Sequence, residues 1–138
     1  MIISKQNALI KEIRSLLSKK FRDSLNRYVV EGVKMVSEAI KYGQDIDCIV
    51  ISERCDFIAP SSIETIMVTE QVFSYLTGEV TPQGVLAVIK IPENSLTAPS
   101  GNAIILDGIQ DPGNMGTIIR TASACGYSDR APSPAWIW

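Results

Sequence analysis

Residues 84–91 read Gly-Val-Leu-Ala-Val-Ile-Lys-Ile, a nearly continuous apolar run broken only by Lys90. Successive side chains of a strand point to opposite faces of its sheet, so a strand apolar at every position must be covered on both. This run predicts a sheet sandwiched between helices. The flanking sequence supplies those elements. Leu9, Ile10, Ile13, Leu16, Leu17 and Phe21 recur at three- and four-residue steps and predict one helix over Asn7–Arg22. Tyr28–Val30 is short and β-prone. Gly32–Tyr42 predicts a second helix, with Val33, Val36, Ala39 and Ile40 inside and Gly43 as its stop. Ile46–Ser52 and Ile63–Val68 are strand candidates, separated by a loop marked by Pro60. Thr69 caps a short helix through Leu76 that ends at Gly78. Gln83-Gly84 reads as a turn into the apolar strand. Strands alternating with helices argue for an α/β layer fold with a largely parallel sheet.

The segment 92–101, Pro-Glu-Asn-Ser-Leu-Thr-Ala-Pro-Ser-Gly, has the composition of a linker. It divides the chain into a first domain over 1–91 and a second unit over 102–130. The second unit opens with a strand at Ala103–Leu106, then a turn rich in Gly, Pro and Asp. A helix over Asn114–Cys125 follows, stopped by Gly126. Residues 131–138 change character: Pro132 and Pro134 exclude a central strand there, and both tryptophans fall in the last three positions.

Composition removes several chemistries. The 138 residues include no histidine, which excludes Ser-His-Asp and Cys-His catalysis and any imidazole metal site. Acid–base work would fall to carboxylates, Lys, Cys, Tyr or Arg. Cys48, Cys55 and Cys125 are odd in number and widely spaced, which argues for buried reduced thiols rather than disulfides or a zinc knuckle. No metal is expected. No signal peptide or membrane span is legible, so a cytoplasmic protein without a membrane partner is expected.

The net charge of −2 conceals a division. Residues 1–41 carry nine bases and four acids, a net +5, and the remainder carries −7. A basic segment on an acidic chain is either a solvated helix face or the footprint of a polyanion. Lys11, Arg14, Lys19 and Arg27 are its candidate nucleic-acid contacts. Lys11, Arg14 and Lys19 fall on the wet side of the first helix. Glu31, beside Gly32 at the start of the second helix, either shapes that start or touches the bound nucleic acid.

The densest motif is Leu106-Asp-Gly-Ile-Gln-Asp-Pro-Gly-Asn-Met-Gly-Thr-Ile-Ile-Arg-Thr-Ala-Ser-Ala-Cys-Gly126. A strand, a tight turn and a helix N-terminus are where α/β proteins place ligands. It is no phosphate loop, because Asn114 stands where the lysine is required, and it lacks the dinucleotide pattern G-x-G-x-x-G. Pro112 fixes φ, Gly113 permits a sharp bend and Asn114 can cap the helix. On physical grounds alone, a plain structural turn remains open.

The stretch Asp111-Pro-Gly-Asn114-Met-Gly116-Thr-Ile-Ile-Arg120-Thr-Ala122 resembles the first signature of the SpoU (TrmH-like) family of RNA ribose 2′-O-methyltransferases. Lys11-Glu-Ile-Arg-Ser-Leu16, Tyr28-Val-Val-Glu-Gly32 and Thr81-Pro-Gln-Gly-Val-Leu-Ala87 are similar to the substrate-binding domain that often precedes this catalytic domain. The resemblance implies an N-terminal α-β-α substrate-binding domain followed by a trefoil-knotted (SPOUT) methyltransferase domain. It also implies a homodimer, an rRNA or tRNA substrate, and S-adenosylmethionine as methyl donor. By the same resemblance Asn114 and Arg120 are the catalytic candidates. Arginine keeps its proton in almost any protein, so Arg120 is expected to orient the ribose-phosphate and stabilise the developing alkoxide rather than act as a base. The family's two later signatures, which bring the cofactor loops and the knot, do not follow Gly126. The expectation is a sequence truncated or frameshifted from about residue 130: only the first β-α unit of an incomplete catalytic domain, without cofactor-binding segments, inactive alone. Two alternatives stay open, a non-catalytic RNA-binding module and a structural fragment that pairs with a partner chain.

Overall fold

The computed structural model describes residues 1–79, 81–92 and 104–127. The chain divides into two compact units, Met1–Pro92 and Glu93–Trp138. The predicted linker, apart from Pro92, and the tail 131–138 lie outside the described residues.

In the first unit the elements run α1 (Ala8–Ser15), α2 (Lys19–Leu25), β1 (Arg27–Glu31), α3 (Val33–Lys41), β2 (Ile46–Ser52), β3 (Thr65–Val68), α4 (Glu70–Thr77) and β4 (Val85–Lys90). The sheet order is β1-β4-β2-β3. As its composition requires, β4 lies inside the sheet and is buried from Val85 to Ile89. Its even residues Leu86 and Val88 join Cys48 and Val50 of β2 against Ile10, Ile13 and Leu16 of α1 and Val72, Phe73 and Leu76 of α4. Its odd residues Val85, Ala87 and Ile89 join Ile49 and Ile51 against Val36 and Ala39 of α3. Helices thus cover both faces. Burying a side chain the size of Phe73 or Leu76 contributes about 1.5–3 kcal/mol.

The sheet is mixed rather than largely parallel. β2 and β3 are parallel, but β4 runs antiparallel to both β1 and β2. A run covered on both faces fixes burial, not direction; β4 slots in reverse between two strands that α3 connects.

The single predicted first helix is two. The apolar spacing continues through the break at Leu16–Ser18, but the backbone turns there: Ser18 is extended and becomes the N-cap of α2. The carbonyls of Leu16 and Leu17, freed where α1 ends, accept hydrogen bonds from Arg22 Nη1 at 3.1 and 2.9 Å. Leu17 and Phe21, at and beyond this break, are exposed instead of buried, and so are Leu9 near the start of α1 and Val33 at the first turn of α3. Of the cysteines only Cys48 is buried; Cys55 is half-buried and Cys125 exposed.

In the second unit α5 spans Pro112–Ala124. It starts two residues earlier than predicted because Asp111, not Asn114, is the N-cap. Asp111 accepts from the N–H groups of Gly113 and Asn114 at 3.1 and 3.2 Å, and Pro112 at the first position has no N–H to satisfy. Of the predicted strand at Ala103–Leu106, Ala103 lies outside the described residues and Ile104–Leu106 are irregular, with no strand among the described residues of this unit to pair with. Ile104, Ile105 and Ile119 are exposed.

Candidate nucleic-acid interface

Arg14 lies in the last turn of α1, which packs against α4 through the buried faces of both helices. Its Nη1 donates to the carbonyl of Leu76 at 3.2 Å, one of the last-turn carbonyls of α4 that lack a helical partner. The positive charge also suits that end of the helix dipole. The guanidinium carbon stands 5.4 Å from the centroid of the Tyr75 ring, and Lys5 Nζ stands 5.7 Å from it, within cation–π range. Gly78, with φ +73°, closes α4 and leaves room for this side chain; a Cβ there would meet Arg14 Nη1 at 2.9 Å. Lys5, Arg14 and Tyr75 therefore form one basic–aromatic cluster. The sequence reading named Arg14 but missed Lys5 and Tyr75, because an aromatic one position off the buried stripe of α4 carries no local signal of its partner.

The other basic candidates divide. Lys11 and Lys19 are exposed, and among the described residues neither is ion-paired. Arg27 is committed elsewhere: its Nη1 lies 2.9 Å from Glu12 Oε1 and its Nε 2.6 Å from Asp47 Oδ2. Lys90 extends this network to Asp45 and Asp47, both at 3.3 Å. Hydrogen bonds to Asp45, then Asp47, raise the Lys90 pKa above the ordinary lysine value.

Glu31 acts as a strut between segments far apart in sequence. Its Oε1 accepts from the backbone N–H of Gln83 at 3.1 Å, joining the β1–α3 turn to the loop before β4. Gly32, at φ +98°, sits so close that a Cβ would lie 2.5 Å from Gln83 Oε1. Gly84, at φ +80°, likewise abuts Cys55, where a Cβ would lie 2.8 Å from the cysteine Cβ. These two glycines bring the 81–84 loop onto the ends of β1 and β2. Beside it opens a cleft of about 380 Å³ lined by Ser52, Arg54, Glu70, Phe73, Ser74 and Gln83 among others.

On α5, both Asn114 and Arg120 are exposed. Arg120 Nη2 donates to Thr117 Oγ1 at 3.2 Å, and that hydroxyl donates to the Gly113 carbonyl at 2.9 Å. Gly116 allows the guanidinium to fold back, with Nη1 3.2 Å from where a Cβ would be. Thr117 is thus a support for Arg120 that the sequence reading missed. Six residues apart, Asn114 and Arg120 are about 9 Å apart along the axis and about 120° apart around it. These are backbone spacings; the guanidinium, folded back to Gly116 and Thr117, lies nearer the level of Asn114 but on another side of the helix.

Burial, with lesser contributions from Asp47 and Glu64, pushes the Cys48 thiol up to about 11. Among the described residues no group of three or more His, Cys, Asp and Glu is arranged to hold a metal ion, and no helix is long and apolar enough to cross a membrane.

Residues 7–87 match the family model of the MRM3-like substrate binding domain. The chain is 37% identical over 129 residues to the 23S rRNA (guanosine(2553)-2′-O)-methyltransferase RlmP of Bacillus subtilis, a match over 91% of this chain and 51% of that protein. Among solved structures, an RNA 2′-O ribose methyltransferase superposes with a TM-score of 0.65 at 32% identity, over 91% of this chain and 52% of the other. An AdoMet-bound rRNA methyltransferase from Sinorhizobium meliloti gives a TM-score of 0.65 at 29% identity, over 91% and 51%. The chain spans about half the length of these relatives.

Proposed function

The chain belongs to the family of the MRM3-like substrate binding domain, represented among SpoU (TrmH-like) RNA methyltransferases, and from that membership we propose that its first unit holds rRNA or tRNA for ribose 2′-O-methylation. The observation that carries this is the cluster of Lys5 and Arg14 on the Tyr75 ring. Cations beside an aromatic face suit a strand of phosphates with unstacked bases. Lys11 and Lys19 add phosphate contacts. Arg27, held by two carboxylates, organises the fold more than it attracts RNA. Glu31 positions the 81–84 loop.

For the second unit the proposed methyl donor is S-adenosylmethionine, which the AdoMet-bound relative supports. The described residues around α5 do not fit an enclosed cofactor, since Asn114, Thr117 and Arg120 are all exposed. Arg120, steadied by Thr117, is proposed to grip the ribose-phosphate and offset charge on the attacking oxygen. Asn114, in the first turn of α5, is proposed to line the same reaction centre from another direction. The homodimer and the cytoplasmic location belong to this proposal as well. Because the chain spans half of its relatives, the 138-residue polypeptide alone is proposed to bind RNA without transferring methyl.

Fluorescence anisotropy with labelled ribosomal RNA fragments tests the first part. Lys5→Ala and Arg14→Ala are each expected to weaken binding and to lower the salt slope by about one unit per lost phosphate contact. Arg27→Ala is expected to leave the slope unchanged. Equal slopes in all three variants would refute the assignment. Incubation with tritiated S-adenosylmethionine tests the second part, and label transferred by this polypeptide alone would overturn it.

A further inference from the structure

The cleft beside the 81–84 loop has no part in the phosphate contacts assigned above. Its walls come from the end of β2, the first turns of α4 and the loop held by Glu31. Ser52 is 4% exposed and lines it, yet nothing among the described residues hydrogen-bonds to its hydroxyl. The hydroxyl oxygen is not sealed off but keeps access to the cleft, where a ligand or water can satisfy it. Phe73, 1% exposed, supplies apolar floor. At the mouth Arg54 Nη1 and Glu70 Oε2 lie 3.0 Å apart, and Glu53 accepts from the Glu70 N–H at 3.3 Å. Two carboxylates against one guanidinium make this mouth unfavourable for a phosphate. A neighbouring carboxylate and guanidinium instead match the edge of one base: guanine offers N1–H and N2–H donors beside its O6 and N7 acceptors.

We propose that this cleft receives a single unpaired guanine of the bound RNA, with Glu70 accepting from N1–H and N2–H, Arg54 donating to O6 and N7, and the Ser52 hydroxyl satisfied within. The proposal rests on the RNA-binding reading of the first unit. α4 links the two surfaces: Glu70, Phe73 and Ser74 line the cleft, and Tyr75 and Leu76 meet Arg14. The helix has eight residues and is about 12 Å long, so neighbouring nucleotides of one strand reach both.

The test is fluorescence anisotropy of the 138-residue chain with three labelled nonamer RNAs: all adenine, the same with a central guanine, and the same with a central inosine, which lacks the N2 amino group. The guanine oligomer is expected to bind about tenfold tighter than the adenine one, with inosine between. Glu70→Gln and Arg54→Gln are each expected to abolish the preference, read as the ratio of the guanine and adenine affinities within each variant so that a general change in affinity cancels. No guanine preference in the parent chain, or a preference that survives in both variants, overturns the cleft assignment and leaves the RNA reading standing. Absence of binding to every oligomer and to ribosomal RNA overturns the RNA reading, and this proposal with it.

Discussion

Replacing Gly32 by alanine tests how the 81–84 loop is held. Gly32 is the N-cap of α3 at φ +98° and ψ +147°, close to a region that only glycine populates, and holding another residue there costs about 1–3 kcal/mol. The alanine also stiffens the unfolded chain, which returns about 0.4–1 kcal/mol. The added Cβ would stand 2.5 Å from Gln83 Oε1, but Gln83 is exposed and its side chain can swing away. The clash is therefore cheap and the backbone strain is not, so Gly32→Ala should lose about 1–2 kcal/mol net. Urea denaturation followed by far-UV circular dichroism reads this as a lower midpoint at unchanged slope. The companion variant Gln83→Ala removes the clash but not the strain, so the double variant should show a coupling within about 0.5 kcal/mol of zero. A Gly32→Ala protein as stable as the parent would refute the strain argument. Full rescue by Gln83→Ala would show that the side-chain clash, not the backbone, carries the cost.

Phe73→Ala, by opening a cavity between α4 and the sheet, should cost about 3–5 kcal/mol in the same denaturation assay; a loss below about 1 kcal/mol would mean that this face is loosely packed. Arg27→Met should cost no more than about 1 kcal/mol, because its ion pairs are partly exposed, and the loss should shrink in high salt. Alkylation at neutral pH should label Cys125 first and Cys48 last, read by mass spectrometry of peptides. Burial raises the Cys48 thiol in the folded state from the ordinary thiol value of 9.0 to about 11. Its contribution is therefore intact below pH 9 and lost as pH rises from 9 to about 11; a Cys48→Ala variant should show a flatter stability profile across that window.

The sequence carries burial better than direction. The run at 84–91 made the two-sided cover of β4 legible, and Ile46–Ser52 matched β2 residue for residue. Neither run says which way its strand points, because apolar alternation reads the same in both senses. The break between α1 and α2 was hidden because its cause, Arg22 reaching back to Leu16 and Leu17, is a side-chain contact across a periodic stretch. Arg14 and Arg27 show the same limit. Both read as free cations on a basic segment, yet one lies on Tyr75 and the other between Glu12 and Asp47, partners 61 and 20 residues away for Tyr75 and Asp47. Charge is local in sequence, but whether it is available to a ligand is decided by tertiary neighbours.

The signature helix separates recognition from assembly in the same way. The motif Asp111–Ala122 contains everything needed to begin α5 and to aim one arginine. Asp111 takes the first two free N–H groups, Pro112 forgoes its own, and Thr117 links Arg120 to the Gly113 carbonyl. These are contacts of two to four residues, so a short motif can specify them completely. Bringing Asn114 to the same reacting atom as Arg120 is a different demand, because one straight helix keeps them about 120° and about 9 Å apart. The Arg120 side chain shortens the axial gap by folding back one turn to Thr117 and Gly116, but the two side chains still leave the helix in different directions. If both residues serve one reaction, the substrate must either wrap around α5 or be presented by another segment, with Arg120 on the phosphate side and Asn114 facing a different part of the site.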